Sequence, residues 1–191
     1  MKYNPDIHHR RSIRLKDYDY SQSGAYFVTI CTKDKECYFG EIADGAIELS
    51  QAGKIANDCF LNVPKHNDNA ETDTFIVMPN HIHAIIIMMN NCRGVACNAL
   101  LENAETKRGV IYNAPTNNYY SKITPHKYSL SIVIRSYKSA VTRLCGQQNI
   151  PFQWQRNYYE RIIRNESELS KIREYIISNP LNWEQDENYK A

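Results

Sequence analysis

Met78-Pro79-Asn80-His81-Ile82-His83-Ala84-Ile85-Ile86-Ile87-Met88-Met89 is the stretch from which the rest of the chain is best read. Pro79-Asn80 is a turn signal, and His81 to Met89 has the composition of a strand. Side chains alternate along a strand, so His81 and His83 share a face, about 7 Å apart at the backbone. That separation lets two imidazoles reach one divalent ion. Ile85 and Ile87 carry the same face onward into core. Buried imidazoles there need partners, and a metal ion is one. The pair alone leaves two ordinary hydrogen-bonded histidines open as the alternative. A binuclear hydrolase site is disfavoured, because apolar residues rather than further Asp and His follow.

Working outward, Thr72 to Met78 reads as a strand that hairpins into this one. Ala25 to Thr32 alternates and is rich in β-formers, and Ala46 to Leu49 is a short strand. Ser50 caps a helix in which Ala52, Ile55, Ala56, Cys59, Phe60 and Val63 keep helical spacing until Pro64. Leu130, Val133, Ile134, Tyr137, Val141, Leu144 and Cys145 make the face of a second helix, closed by Gly146. Gln153 to Ile163 reads as a basic strand. Asn165 or Ser167 then caps a last helix with Leu169, Ile172 and Ile176 inward, ended by Asn179-Pro180. This order predicts an α+β fold, an antiparallel β-sheet with helices packed on one face.

The chain of 191 residues, 42% hydrophobic and 23% charged, suits a single domain spanning 1–191. Within it, residues 1–20 form a basic extension, and about 90–127 lose all periodicity, as a long insertion does. No apolar run is long enough to span a bilayer, and no apolar stretch follows the first charges as in a signal peptide. The expectation is a soluble, cytoplasmic protein. Six cysteines do not imply disulfides: Cys31, Cys59 and Cys145 sit in apolar periodic segments, and Cys92 and Cys97 lack a second pair for zinc.

The net charge is only +2, yet the cations cluster. Residues 1–16 hold Lys2, Arg10, Arg11, Arg14 and Lys16 against Asp6. From Arg135 to Arg173 eight Lys and Arg face three Glu. Such patches in a near-neutral chain read equally as footprints for phosphates or as solvated charged faces. The run Trp154-Gln155-Arg156-Asn157-Tyr158-Tyr159-Glu160-Arg161-Ile162-Ile163-Arg164 mixes aromatic faces, which stack on unpaired bases, with guanidinium groups. An edge strand protected by charge is the competing reading. The candidate DNA contacts are therefore Arg10, Arg11, Arg14, Lys138, Trp154, Arg156, Arg161 and Arg164. Tyr175 lies beside the inward stripe of the last helix, with Asn179 one turn on. Taken alone, Tyr175 reads first as an amphipathic core-edge tyrosine, one of fourteen tyrosines; a phenol attacks a phosphodiester only where the phosphate is positioned and polarised. Tyr137, the rival, lies within an apolar helical face and reads as core.

Together these segments resemble the HUH-type single-tyrosine transposases, specifically the REP-associated tyrosine transposases and their insertion-sequence relatives. The resemblance rests on Arg10-Arg11-Ser12-Ile13-Arg14-Leu15, Gly24 to Cys31, Met78 to His83, Tyr137 to Thr142, Trp154 to Arg164 and Tyr175-Ile176-Ile177-Ser178-Asn179-Pro180. It does not extend to the insertion. It implies a ferredoxin-like sheet with the histidine pair on a central strand, and cleavage of single-stranded DNA beside a hairpin with one Mg²⁺ or Mn²⁺. His81 and His83 would be metal ligands, Asn179 the third, amide ligand, and Tyr175 the nucleophile. Tyr175 would take a 5′-phosphate and release a 3′-OH that can later reseal the strand. Expected partners are hairpin-bearing single-stranded DNA, with no membrane and no nucleotide cofactor. A monomer is favoured over the homodimer of insertion-sequence relatives. The alternatives are a hairpin-DNA-binding protein without catalysis, and an RNA-processing or replication-initiating nuclease of the same type.

Overall fold

Alternation between two buried faces makes Gly24–Cys31 the first strand, β1. The computed structural model describes residues 22–89 and 128–189. After β1 come the hairpin strands β2 (Gly40–Ala43) and β3 (Ala46–Leu49), then helix α1 (Gln51–Leu61), β4 (Ala70–Val77) and β5 (His81–Met88). Helix α2 (Leu130–Gln147), β6 (Tyr159–Ile163) and helix α3 (Glu166–Ser178) follow, and a 3₁₀ segment, Asn179–Gln185, continues from α3. The main sheet has the order β4-β5-β1-β6, every pair antiparallel. The units β1-α1-β4 and β5-α2-β6 are thus interleaved, which is the ferredoxin-like arrangement. The fold is α+β, as expected.

Period-2 alternation divides the core. Tyr26, Val28 and Ile30 of β1 and Ile82, Ala84 and Ile86 of β5 face α1 and α2, packing on Phe60, Val133, Tyr137 and Val141. Phe27 and Ile85 point the other way, onto Ile176 of α3. The expectation of helices on one face therefore holds for α1 and α2 and is corrected for α3. That correction matters, because the faces of β1 and β5 turned toward α3 also carry Thr29, His81 and His83.

Ser50 caps α1, accepting from the Gly53 N–H at 3.1 Å. A side chain at Gly53 would meet the Phe39 carbonyl, so glycine lets α1 seat against the hairpin. Asp44 and Gly45, with φ of 51° and 75°, form the tight turn between β2 and β3. Gly146 is not the stop expected of it. The helix runs to Gln147, and Asn149 takes the left-handed turn after it, at φ 55°. The basic strand is also shorter than expected. Asn157 at φ 65° breaks the extension, and Trp154 keeps only an isolated bridge to Thr32. The basic extension with Arg10, Arg11 and Arg14, the insertion at 90–127, and Cys92 and Cys97 lie outside the described residues. Cys31, Cys59 and Cys145 are free thiols. Among the described residues no helix is long and apolar enough to cross a membrane.

Candidate metal centre

His81 opens β5 directly after the Pro79-Asn80 turn, and the turn determines its protonation. The Asn80 amide donates to the carbonyls of Lys35 (3.1 Å) and Asn188 (2.7 Å). Its oxygen must then face His81 Nδ1, 2.9 Å away. An acceptor at that position puts the ring proton on Nδ1 and leaves Nε2 with a bare lone pair. Nε2 is buried with no hydrogen-bond partner among the described residues. Burial, reinforced by the neighbouring His83, pushes the His81 pKa down to about 3. A neutral imidazole with an orphaned, inward-facing lone pair is a ligand in waiting.

His83 stands beside it, ring centroids 4.4 Å apart. Thr29 Oγ1 lies 3.0 Å from its Nδ1, and Phe27 stacks on the ring at 5.3 Å. Its Nε2 faces the Tyr175 hydroxyl at 3.2 Å and an Asp186 carboxylate oxygen at 3.7 Å.

Helix α3 brings the phenol there. Asn165 caps it, accepting from the Glu168 N–H, and Ile176 anchors it to the sheet. Tyr175, next to that anchor, reaches over Phe27 with its ring 45% exposed. Asn179, one turn on, is buried, and its Oδ1 has no partner among the described residues. The 3₁₀ segment then turns the chain back so that Asp186 joins the site. Asp186 accepts from the Asn188 N–H at 2.6 Å, the Asn179 amide at 3.1 Å and the Tyr175 hydroxyl at 3.4 Å. Burial works against its charge. The contacts with His83, the Asn188 N–H and the Asn179 amide outweigh that and hold its pKa far below the carboxylate range. Burial and this carboxylate together push the Tyr175 phenol up to about 12.

Ligand atoms of His81, His83 and Asp186 all lie within 4.8 Å of one another. Two imidazoles, a carboxylate and an amide oxygen suit a divalent cation, and the unpaired Nε2 and Oδ1 are atoms such an ion would satisfy. The structure thus brings His81, His83, Asn179 and Tyr175 to one point. It adds Asp186, which sequence reasoning missed. The only signal for Asp186 is membership of an acidic tail, where Glu184 and Glu187 look the same.

A cleft of about 660 Å³ reaches this cluster at His83 and Tyr175, and Phe27, Thr29, Arg156, Tyr158, Tyr159 and Arg161 also line it. Arg161 also pairs with Glu168 at 2.6 Å while its side chain stays 60% exposed. Arg164 is exposed beyond the cleft. Lys138 and Trp154 lie outside the cleft. Trp154 packs on Phe39, Phe152 and Tyr137, and its Nε1 donates to the Lys138 carbonyl. Lys138 Nζ donates to the carbonyls of Gln155 (2.7 Å) and Asn157 (3.0 Å), so it props the cleft rim. Tyr137 is core, its hydroxyl donating to the Ala56 carbonyl.

Burial pulls the Lys138 ammonium down to about 8, below its value in an unfolded chain. Between pH 8 and roughly 10.4 the unfolded chain therefore binds more protons, and the contribution of this group to stability rises with pH. Urea denaturation of Lys138→Met should show a wild-type advantage that grows from pH 7.5 to pH 9.5.

No family model matches the chain. An uncharacterized protein of Haemophilus influenzae is 40% identical over 192 residues, covering 98% of this chain and 97% of that one. The chain belongs to the family of that protein. Among solved structures, a REP-associated tyrosine transposase bound to a REP hairpin superposes with a TM-score of 0.55 at 16% identity, over 91% of this chain and 74% of the other. At that identity the likeness is one of fold. The family member described here thus has the transposase's architecture, with its histidine pair on a central strand of the sheet.

Proposed function

We propose that this protein is a metal-dependent transposase-type nuclease that cuts and rejoins single-stranded DNA beside a hairpin, with Tyr175 as nucleophile. The observation that carries this reading is the convergence at one point of the Tyr175 hydroxyl, His83 Nε2 and Asp186 beside the bare Nε2 of His81. The fold shared with a hairpin-bound transposase supports it.

His81, His83, Asp186 and Asn179 would hold the ion, and a bound Mg²⁺ or Mn²⁺ would polarise the scissile phosphate as a Lewis acid. Arg156 and Arg161 at the rim neutralise flanking phosphates, while Tyr158 and Tyr159 offer faces to unpaired bases. In the attack, a bond forms between Tyr175 Oη and phosphorus as the bond from phosphorus to the 3′-oxygen breaks. The phenol proton passes to solvent, which the half-exposed Tyr175 meets, and the departing oxygen takes a proton from water. The product is a 5′-phosphotyrosine and a free 3′-OH. Because the phosphodiester energy is kept in the new bond, the reverse attack rejoins the strand without ATP.

The test incubates labelled hairpin oligonucleotides from the DNA flanking the gene with protein and Mn²⁺, then denatures. A covalent protein–DNA adduct that disappears with chelator is expected. Hairpin retention without adduct under any divalent ion would instead establish the non-catalytic binder. The Asn80 amide makes a further prediction. Asn80→Ala removes the acceptor that orients His81, so Mn²⁺ affinity by calorimetry should fall about 10- to 100-fold with the ligands untouched.

A further inference from the structure

Helix α3 is seated on a narrow base. Ile176 is its buried side chain, with Leu169 and Ile172 partly covered, and these pack in one cluster with Phe27, Ile85 and Ile163, flanked by Ala25 and Ile76. A helix resting on one apolar stripe is poorly fixed against rolling about its axis. Arg173 and Tyr175 project on opposite flanks of the Ile172–Ile176 stripe. Any roll therefore moves both, in opposite senses relative to the sheet.

One flank is pinned. Arg173 donates to both carboxylate oxygens of Asp73, Nε at 3.2 and 3.0 Å and Nη2 at 2.5 Å, in the two-pronged geometry that fixes direction as well as distance. Asp73 stands where β4 departs from regular pairing. Thr72 pairs with Ile86 but Phe75 with Ala84, so β4 carries one extra residue between them. Ala70 before this bulge and Phe75 and Val77 after it all face the α1 side. Alternation from Ala70 already places Asp73 on the α3 side, the extra residue leaves Thr74 beside it opposite Ile85, and Thr74 Oγ1 steadies Asp73 with a bond to Oδ1 at 3.0 Å.

We infer that Asp73 and Arg173 are positioning residues that pin the roll of α3 and thereby set the Tyr175 hydroxyl against His83. The inference rests on the proposed role of Tyr175 for its catalytic consequence, though not for its structural one. A tyrosine displaced by an ångström still binds DNA nearby but attacks poorly.

The test uses Asp73→Ala and Arg173→Lys in the full chain. The second keeps the charge and loses the fork. Amide hydrogen exchange by mass spectrometry is read over 166–178 and over 130–147, beside the single-turnover rate of adduct formation and the hairpin affinity. Both variants should exchange faster over α3 with α2 unchanged. Adduct formation should fall about 10- to 100-fold at wild-type hairpin affinity, with Arg173→Lys the milder. Unchanged exchange over α3, or equal loosening of α2 and α3, would overturn the inference. If wild-type protein forms no adduct while α3 alone loosens in the variants, the pin stands and the proposed function fails.

Discussion

Replacing Tyr175 with Phe is expected to abolish covalent adduct formation, a loss of roughly 10⁴-fold or more, while hairpin affinity stays at the wild-type level. The substitution keeps the ring, with its edge contacts to Phe27 at 6.1 Å and His83 at 5.2 Å, and removes the hydroxyl that faces His83 Nε2 at 3.2 Å. The folded state loses little by it. Asp186 keeps its bonds from the Asn188 N–H and the Asn179 amide. In the proposed complex, phosphate and base contacts come through Arg156, Tyr158, Tyr159 and Arg161, which the change does not touch. A denaturing gel reads the adduct and a gel shift the binding. Adduct formation by the variant at the wild-type rate would assign the nucleophile elsewhere.

His81→Ala should have the second large effect, through the ion. Removing the imidazole with the unpartnered Nε2 takes out a ligand that needs no deprotonation at neutral pH. We expect Mn²⁺ affinity by calorimetry to fall roughly 100-fold or more, with adduct formation falling alongside. Thermal stability supplies an independent reading. At a Mn²⁺ concentration about 100 times its Kd, a wild-type chain that binds it only when folded gains about 2.7 kcal/mol, and the variant should gain almost none. In chelator the variant also loses the donor to Asn80 Oδ1, a buried acceptor worth about 1–3 kcal/mol when stranded. The two effects separate cleanly, since only the first depends on the ion. Equal Mn²⁺ stabilisation of both chains would remove His81 from the site.

Much of this was legible because local patterns and the tertiary structure agree. The His81–Met88 run, the Ser50 cap and the apolar stripes of α1 and α2 each encode their own geometry, and the ferredoxin-like order follows from their sequence. The placement of α3 was harder to foresee. Phe27 and Ile85 alternate with residues committed to the other face, but a run buried on both sides hides which face a distant helix will take. The Asp44-Gly45 turn carried a hairpin signal that pointed to β2, a strand too short to stand out by periodicity. Asp186 was illegible for a different reason. Its role depends on a 3₁₀ segment that returns the chain to the sheet, and no local pattern distinguishes it from Glu184 and Glu187. Trp154 and Lys138 have the composition of a nucleic-acid surface, yet the structure uses them to hold up the rim that presents Arg156 and Tyr158. Composition names the chemistry available in a segment; packing decides which side chains remain free to use it.

The central claim is that Tyr175 becomes covalently bonded to a 5′-phosphate in a reaction that requires a divalent ion. Its most direct test is peptide mapping by tandem mass spectrometry of the product formed from a hairpin-bearing single strand with Mn²⁺, after nuclease trimming of the DNA. The account predicts a nucleotide joined through its 5′-phosphate to Tyr175, absent when chelator replaces the metal. A nucleotide on Tyr159 or any other side chain, or cleaved DNA with no adduct at all, would contradict it.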